Sequence, residues 1–178
     1  IEQLHKIFLK SNSVSTDTRK VNTNDLFFAL KGDNFNGNKF AKDAIEKGAR
    51  YAVIDEEAYN KNDTFILVEN VLETLQKLAT YHRNYLDLKI IALTGSNGKT
   101  TTKELINTVL STKYKTVATV GNLNNHIGVP LTLLSMDSST EIGIVEMGAN
   151  HLKEIEFLCK IAQPDFGYIT NFGKAHLE

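Results

Sequence analysis

The residues best suited to chemistry lie in a short polar run in the middle of the chain. The run reads Gly95, Ser96, Asn97, Gly98, Lys99, Thr100 and Thr101. Glycines let the backbone turn its N–H groups toward phosphate oxygens, a lysine supplies a cation for the phosphates, and a threonine hydroxyl can reach Mg²⁺. Only two residues separate the glycines, where the usual pattern has four, so the sequence predicts a shortened phosphate-binding loop.

The residues on either side predict a strand before the loop and a helix after it. Ile90–Thr94 is a continuous apolar run, and Leu105, Ile106, Val109 and Leu110 recur at helical spacing, which predicts one buried helix face. A helix that starts directly after the loop adds the positive end of its dipole to a phosphate site. An ordinary strand-to-helix turn is the alternative, but it does not explain the Gly-x-x-Gly-Lys-Thr pattern.

The whole second part of the chain, residues 84–178, alternates strands and helices. Further strands are predicted at Thr116–Val120, Ile142–Met147 and Gly167–Thr170, with helices near Pro130–Leu134 and Leu152–Ala162. This alternation predicts a mainly parallel sheet flanked by helices, in which ligands bind at the carboxyl ends of the strands.

Residues 1–83 predict a separate, small N-terminal α/β domain. Its predicted strands are Leu26–Leu30, Tyr51–Ile54 and Phe65–Val68. Asn38 is a candidate N-cap for a helix over residues 39–47, and Asn70 with Glu73 resembles a capping box for the next helix. The predicted fold class is therefore α/β, with this domain followed by an incomplete phosphate-loop domain.

Composition narrows the class of protein. The chain has 178 residues, 42% of them hydrophobic, and a net charge of −1, which disfavours nucleic acid as a partner. No apolar run approaches the roughly 18 residues of a membrane span, and the first residues lack the layout of a signal peptide. The single cysteine, Cys159, fits a core thiol in a reducing compartment. We expect a soluble cytoplasmic protein, with a monomer as the default.

Single polar residues at predicted strand ends are the remaining candidates. Glu146 ends an apolar strand beside the phosphate loop, where a carboxylate more often binds Mg²⁺ than pairs with a lysine. His176 follows the last strand at the same edge, so contact with metal or phosphate is as plausible as a surface role. Asp17, Thr18 and Arg19 could grip a diphosphate or form a solvated turn. The other histidines, His5, His82, His126 and His151, are taken as surface residues.

Several stretches together resemble the Mur ligase family. In the second part they are residues 94–102, 121–132, 146–150 and 170–178, and in the first part Asp17–Arg19, Leu26–Gly32 and Phe35–Gly37. The resemblance implies that Lys99 binds the phosphates of ATP and that Thr100 and Glu146 bind a first Mg²⁺. It further implies that His176 helps to hold a second Mg²⁺, that Asn125 lines the nucleotide or metal pocket, and that Asp17, Thr18 and Arg19 lie near a uridine diphosphate. Lys99 and His176 would then be catalytic.

The resemblance also implies a reaction. The Gly-Asn-x-Asn-Asn element at residues 121–125 points to a member that acts on UDP-N-acetylmuramoyl tripeptide and D-alanyl-D-alanine, in peptidoglycan precursor synthesis. ATP would phosphorylate the tripeptide carboxylate, and the amine of the dipeptide would attack the acyl phosphate. Asn36–Asn38 departs from the family pattern. The family continues with a further domain, so we expect this chain to be a fragment that does not ligate by itself.

Two other functions stay open at this point. A folylpolyglutamate synthase-like ligase of the same superfamily would use glutamate, although such enzymes begin with the phosphate-loop domain. A nucleotide-binding module without ligation chemistry would account for the phosphate loop. It would leave Glu146, Asn125 and His176 unexplained.

Overall fold

The computed structural model describes residues 1–173 and contains two compact units, Ile1–Leu78 and a second unit that begins at Ala79. The division falls inside one helix, Val71–Leu86. Each unit contains a four-stranded sheet in which all strand pairs are parallel, which confirms the predicted α/β class. No helix within the described residues is long and apolar enough to cross a membrane.

The first unit is a small parallel sheet with helices packed on it. Its elements are α1 (Glu2–Phe8), β1 (Val14–Ser15), β2 (Leu26–Phe28), β3 (Lys31–Gly32), β4 (Phe35–Asn36), a 3₁₀ turn (Gly37–Phe40), α2 (Ala41–Glu46), β5 (Tyr51–Ile54), a second 3₁₀ turn (Glu57–Tyr59), β6 (Phe65–Leu67) and the start of α3 (Val71–Leu86). The strand order is β1-β2-β5-β6, and β3 and β4 form a separate antiparallel hairpin. β2 and β5 are the two central strands, and their residues are apolar because both faces of these strands are covered.

The segment around Asn38 differs from the prediction. Asn36, not Asn38, caps the turn that precedes α2, because its side chain accepts a hydrogen bond from Asn38 N. Asn38 itself is fully buried: its Nδ2 donates to Asp55 Oδ1 at 2.8 Å, and its Oδ1 accepts from Asp55 N at 3.0 Å. A side chain 17 positions away in sequence therefore satisfies Asn38, which local sequence rules could not predict.

The second unit has the predicted alternation of strands and helices. After α3 come β7 (Lys89–Thr94), α4 (Lys99–Leu110), β8 (Thr116–Ala118), α5 (Gly128–Leu134), β9 (Ile142–Glu146), α6 (Glu154–Ala162) and β10 (Phe166–Ile169). The strand order is β10-β7-β9-β8, so the chain moves to one side of β7 and then returns to its other side. Such a reversal leaves a crevice at the carboxyl end of β7, where ligands of open α/β sheets bind.

Helix α4 buries only part of the apolar face that was predicted. Ile106 and Leu110 are partly buried. Leu105 and Val109 are 62% and 67% exposed, whereas Lys103 is 1% exposed. The spacing correctly indicated a helix, but the direction of its packing depends on the sheet. The side that meets the sheet carries a lysine.

Two histidines that were expected at the surface are buried. His5 lies in the first unit and is 3% exposed. His82 lies in the second unit and is 2% exposed, with Nε2 2.8 Å from the carbonyl oxygen of Met136. Burial lowers the pKa of His82, because the charged imidazolium is poorly solvated there.

Asp165, just before β10, joins three donors of the second unit. Its carboxylate accepts from Ile90 N at 2.9 Å, from Lys89 Nζ at 3.0 Å and from Arg83 Nη2 at 3.0 Å. The hydrogen bond from the Ile90 amide and then the one from Lys89 hold the pKa of Asp165 below its usual range. This carboxylate ties α3 and β7 to the start of β10.

We predict that Asp165→Asn destabilises the second unit by about 1–3 kcal/mol at neutral pH, since the Arg83 and Lys89 donors lose an ionised acceptor. The folded-state pKa is depressed, so the contribution is complete above the unfolded pKa of about 3.9 and is lost as pH falls through the folded value. Urea unfolding of both proteins at a series of pH values measures this gap. As a control, Glu156→Gln breaks the exposed Glu156–Lys160 pair and should cost less than about 0.5 kcal/mol. A gap that is constant down to the lowest pH would contradict the prediction.

Candidate functional site

The predicted phosphate loop connects β7 to α4 and contains two backbone conformations that favour glycine. Gly95 has φ +138° and Gly98 has φ +76°, and Gly98 is the N-cap of α4. A Cβ atom on Gly95 would fall on Thr170 Oγ1, whereas one on Gly98 would meet open space. Because the first N–H groups of a helix have no partner within it, the N-terminus of α4 presents free donors at this loop.

The segment after β10 holds the loop in this shape. Asn171 Oδ1 accepts from Asn97 N at 3.1 Å, and Asn97 O accepts from both Asn171 Nδ2 and Thr170 Oγ1. Ser96 Oγ donates to Gly173 O at 2.8 Å and accepts from Gly173 N at 2.9 Å. The polar groups of the central loop residues are thus used to fix the loop, which leaves the N-terminal amides of α4 as the donors available to a phosphate.

Lys99 stands at the first position of α4 and faces a cavity of about 740 Å³. Its Nζ donates to Gly95 O at 2.8 Å. The cavity is lined by polar residues of the loops after β8 and β9, including Asn124, Asn125, His126, Asn150, His151 and Glu154. The carboxyl ends of β7, β8 and β9 therefore meet at one polar cavity, which is the arrangement predicted for a parallel sheet.

Glu146, the last residue of β9, is a buried carboxylate at this edge. It pairs in register with Leu93, two residues before the loop glycine Gly95, and it is 2% exposed. Asn124 Nδ2 donates to its Oε1 at 2.9 Å, while its Oε2 has no hydrogen-bond partner among the described residues. A buried carboxylate oxygen without a partner is costly, and a divalent cation would remove that cost. The residues present therefore fit a hard cation such as Mg²⁺.

The cation would not rest on protein side chains alone. Within residues 1–173 no group of three or more histidine, cysteine, aspartate or glutamate side chains is arranged to hold a metal ion. Mg²⁺ commonly keeps several waters and binds through one or two carboxylates together with phosphate oxygens. Glu146 beside a phosphate loop matches that mode of binding.

The structure brings together most of the residues predicted for the second unit. Thr100 and Thr101 lie exposed in the first turn of α4, beside Lys99. Asn125 lines the cavity and also caps α5, because its Oδ1 accepts from the amides of Ile127 and Gly128. His176 lies outside the described residues.

Three further residues position parts of the site. The sequence placed Asn124 and Asn171 at the ligand edge without giving either a role, and it did not single out Thr119. Asn124 holds the Glu146 carboxylate, Thr119 Oγ1 accepts from Glu146 N at 2.9 Å, and Asn171 holds the phosphate loop. Asn124 and Asn171 follow predicted strands, and that position is a usable signal. Thr119 has no comparable signal, since its role depends on β8 pairing with β9.

The first unit contains a separate cleft of about 560 Å³. Asp17, Thr18 and Arg19 line it together with Phe35 and Phe40, whose rings stack with centroids 5.5 Å apart. Arg19 forms a two-pronged pair with Asp17, at 2.9 Å through Nε and 2.7 Å through Nη2. Hydrogen bonds from the Arg19 side chain and amide lower the pKa of Asp17 to about 2. The cleft thus combines aromatic faces with charged groups.

The fold and the loop geometry of the second unit define a phosphate-loop α/β protein. Comparison of the sequence gives a narrower class: residues 10–83 match the catalytic domain of the Mur ligase family, and residues 93–178 match the Mur ligase middle domain. The chain belongs to the Mur ligase family.

Individual relatives agree with this membership. The chain is 44% identical over 169 residues to the UDP-N-acetylmuramoyl-tripeptide–D-alanyl-D-alanine ligase of Bacillus subtilis, covering 94% of this chain and 37% of that protein. The crystal structure of MurF from Acinetobacter baumannii superposes with a TM-score of 0.86 and 35% identity, over 99% of this chain and 41% of that one. MurF from Thermotoga maritima in complex with ADP gives a TM-score of 0.85 and 36% identity, over 96% and 40%. The chain therefore spans about two fifths of the length of these relatives.

The two loop glycines give a paired prediction. Gly98→Ala should cost about 1–2 kcal/mol of unfolding free energy for a side chain at positive φ. Gly95→Ala should cost that strain and, in addition, the Thr170–Asn97 hydrogen bond, worth about 0.5–1.5 kcal/mol, because the new Cβ displaces Thr170 Oγ1. Chemical denaturation of the two variants compares the losses directly, and equal losses would show that Thr170 does not brace the loop.

Proposed function

We propose that this chain carries the nucleotide-binding and UDP-substrate-binding parts of an ATP-dependent, ADP-forming ligase. The enzyme would join D-alanyl-D-alanine to UDP-N-acetylmuramoyl tripeptide in the cytoplasm, as a step of peptidoglycan precursor synthesis for cell wall growth and division. The proposal rests on family membership, on the relatives named as this ligase, and on one structural observation. That observation is the unpartnered oxygen of buried Glu146 at the edge of the phosphate loop.

Each predicted site residue of the second part of the chain has a role in this proposal. Lys99 Nζ leaves Gly95 O, 2.8 Å away, and binds the phosphates, while the amides at the start of α4 bind them from the backbone. Gly95, Ser96, Asn97 and Gly98 shape the loop, and Thr100 and Thr101 stand where their hydroxyls can reach the nucleotide or its cation. Glu146 and the Thr100 hydroxyl would hold Mg²⁺. Asn125 lines the cavity that Lys99 faces, and His176 would help to hold a second cation. Bound Mg²⁺ would supply positive charge that offsets the negative charge on the phosphoryl group during its transfer. The complex of the Thermotoga maritima relative with ADP supports the nucleotide assignment.

The carboxylate of the tripeptide is a poor acyl donor, so the reaction needs activation. The terminal phosphoryl group of ATP passes to that carboxylate, and ADP leaves. The amine of D-alanyl-D-alanine then attacks the acyl carbon, the amide bond forms, and phosphate departs with the electron pair of the broken C–O bond. Lys99 and the α4 amides serve this sequence by neutralising charge and by keeping the donor and acceptor oxygens in line.

The first unit would hold the uridine diphosphate end of the substrate. The Arg19 side chain is 85% exposed, so its guanidinium can contact a diphosphate without breaking buried contacts. Its ion pair with Asp17 orients it. Thr18 adds a hydroxyl donor, and the stacked pair of Phe35 and Phe40 offers an aromatic surface for a base. We take the enzyme to act as a monomer.

A substrate-omission experiment tests the reaction. Phosphate release by the full-length protein, with ATP and Mg²⁺, should require both UDP-N-acetylmuramoyl tripeptide and D-alanyl-D-alanine. A folylpolyglutamate synthase-like enzyme would respond to glutamate and a folate instead. A nucleotide-dependent module without ligation chemistry would respond to none of these acceptors, and either result would refute the proposal.

A substitution at Glu146 tests whether the buried oxygen without a partner binds Mg²⁺. In Glu146→Gln the amide oxygen can still accept from Asn124, and an uncharged amide nitrogen replaces the oxygen that has no partner among the described residues. A neutral polar group costs less to bury than a charged one. The nucleotide-free protein should therefore be as stable as the unsubstituted protein or more stable. In the same variant, Mg²⁺ should no longer increase the affinity for ADP.

Glu141→Gln provides the matched control, since Glu141 lies at the opposite end of the same strand and accepts from Lys115 N. It should leave the Mg²⁺-dependent gain intact. Calorimetric titration of ADP with and without Mg²⁺ gives the affinities, and thermal unfolding gives the stabilities. An Mg²⁺ response preserved in Glu146→Gln would mean that the cation binds elsewhere.

A further inference from the structure

Lys103 is the most deeply buried charged side chain of α4. It lies one helical turn after Lys99 and is 1% exposed. Burying an ammonium group is unfavourable unless it is well partnered. Its Nζ donates to Thr119 O at 2.6 Å and lies 2.8 Å from Glu104 Oε1, whose side chain is 61% exposed. The inward-facing partner of this lysine is therefore a backbone carbonyl at the end of β8.

Thr119 receives hydrogen bonds from two sides of the site. Its carbonyl accepts from Lys103, and its Oγ1 accepts from Glu146 N at 2.9 Å. Its own N–H donates to Ile144 O at 2.9 Å, which extends the pairing of β8 with β9. Thr119 and Glu146 are each 2% exposed, so water does not compete for these bonds. One residue thus connects the helix of the phosphate loop to the strand that ends in the buried carboxylate of Glu146.

We propose that Lys103 is a positioning residue that sets the distance between the phosphate loop and Glu146 by way of Thr119. This inference rests on the proposed function, in which nucleotide and Mg²⁺ bind together at these two elements. Lys103 does not line the cavity that Lys99 faces. It fixes α4 against the end of β8, and Thr119 fixes the main chain of Glu146, so that a cation on the carboxylate meets the phosphates held by α4.

A lysine that served only to fill space would have different consequences. Replacing a buried charge by an apolar side chain of similar length is often neutral or stabilising. In that case Lys103→Met would leave the relation between nucleotide and cation unchanged. A positioning role predicts that the variant folds but that the two ligands no longer assist each other fully.

The test measures, by calorimetry on the full-length protein, how much Mg²⁺ increases the affinity for ADP. In Lys103→Met this tightening should fall by at least about fivefold, the lower end of typical coupling between two sites. Thr119→Val keeps the carbonyl but removes Oγ1, and it should cause a similar loss. Combining both substitutions should add little to either alone, because they interrupt one connection.

Lys113→Met is the matched control, since Lys113 lies beyond the end of α4 over the ring of Tyr114. It should retain the full tightening. If Lys103→Met binds ADP with undiminished Mg²⁺ dependence, the inference is wrong. If that variant does not fold, Thr119→Val decides by the same criterion.

A second measurement does not depend on ligands. Hydrogen exchange at the Glu146 amide in the nucleotide-free protein should be faster in Lys103→Met than in Lys113→Met, and equal rates would overturn the inference. If the unsubstituted protein shows no effect of Mg²⁺ on ADP binding, the proposed function fails. The exchange comparison then tests the role of Lys103 by itself.

Discussion

The arrangement of the second unit depends on a carboxylate that is buried at the end of a strand. Glu146 is held through its main chain by Thr119 and through one oxygen by Asn124, and its other oxygen is left without a partner among the described residues. Burying such a group is costly unless it is hydrogen-bonded and paired with a positive charge. One asparagine of the loop after β8, Asn124, is used to hold this carboxylate.

A second constraint is the shape of the phosphate loop. Its central residues are held by the segment that follows β10, through Asn171, Thr170 and Gly173. Because β10 lies beside β7, a segment some 75 positions later in the chain can brace the loop directly. The loop is therefore held in a fixed shape by the protein itself, and such preorganisation lowers the cost of binding a ligand.

The sequence predicted where the strands and helices lie better than it predicted which face of each helix is buried. The hydrophobic runs of β7 and β9 and the motif of the phosphate loop depend on local chemistry, so they were found where expected. The exposure of Leu105 and Val109 on α4 and the burial of the His82 ring were not foreseen, because burial of a helix face depends on what packs against it. Asn38 was misassigned for the same reason, since its partner Asp55 is distant in sequence.

The sequence by itself determined the class of fold, the family and the polar residues at the strand ends, because these follow from periodicity and from short motifs. Only the tertiary structure decided which of those residues touch one another. Strand order places β9 between β7 and β8, and that order brings Glu146, Asn124, Thr119 and Lys103 into one hydrogen-bonded group. No local pattern encodes that neighbourhood, since its members come from α4, from the connection between β8 and α5, and from β9, and they meet only when the sheet has formed.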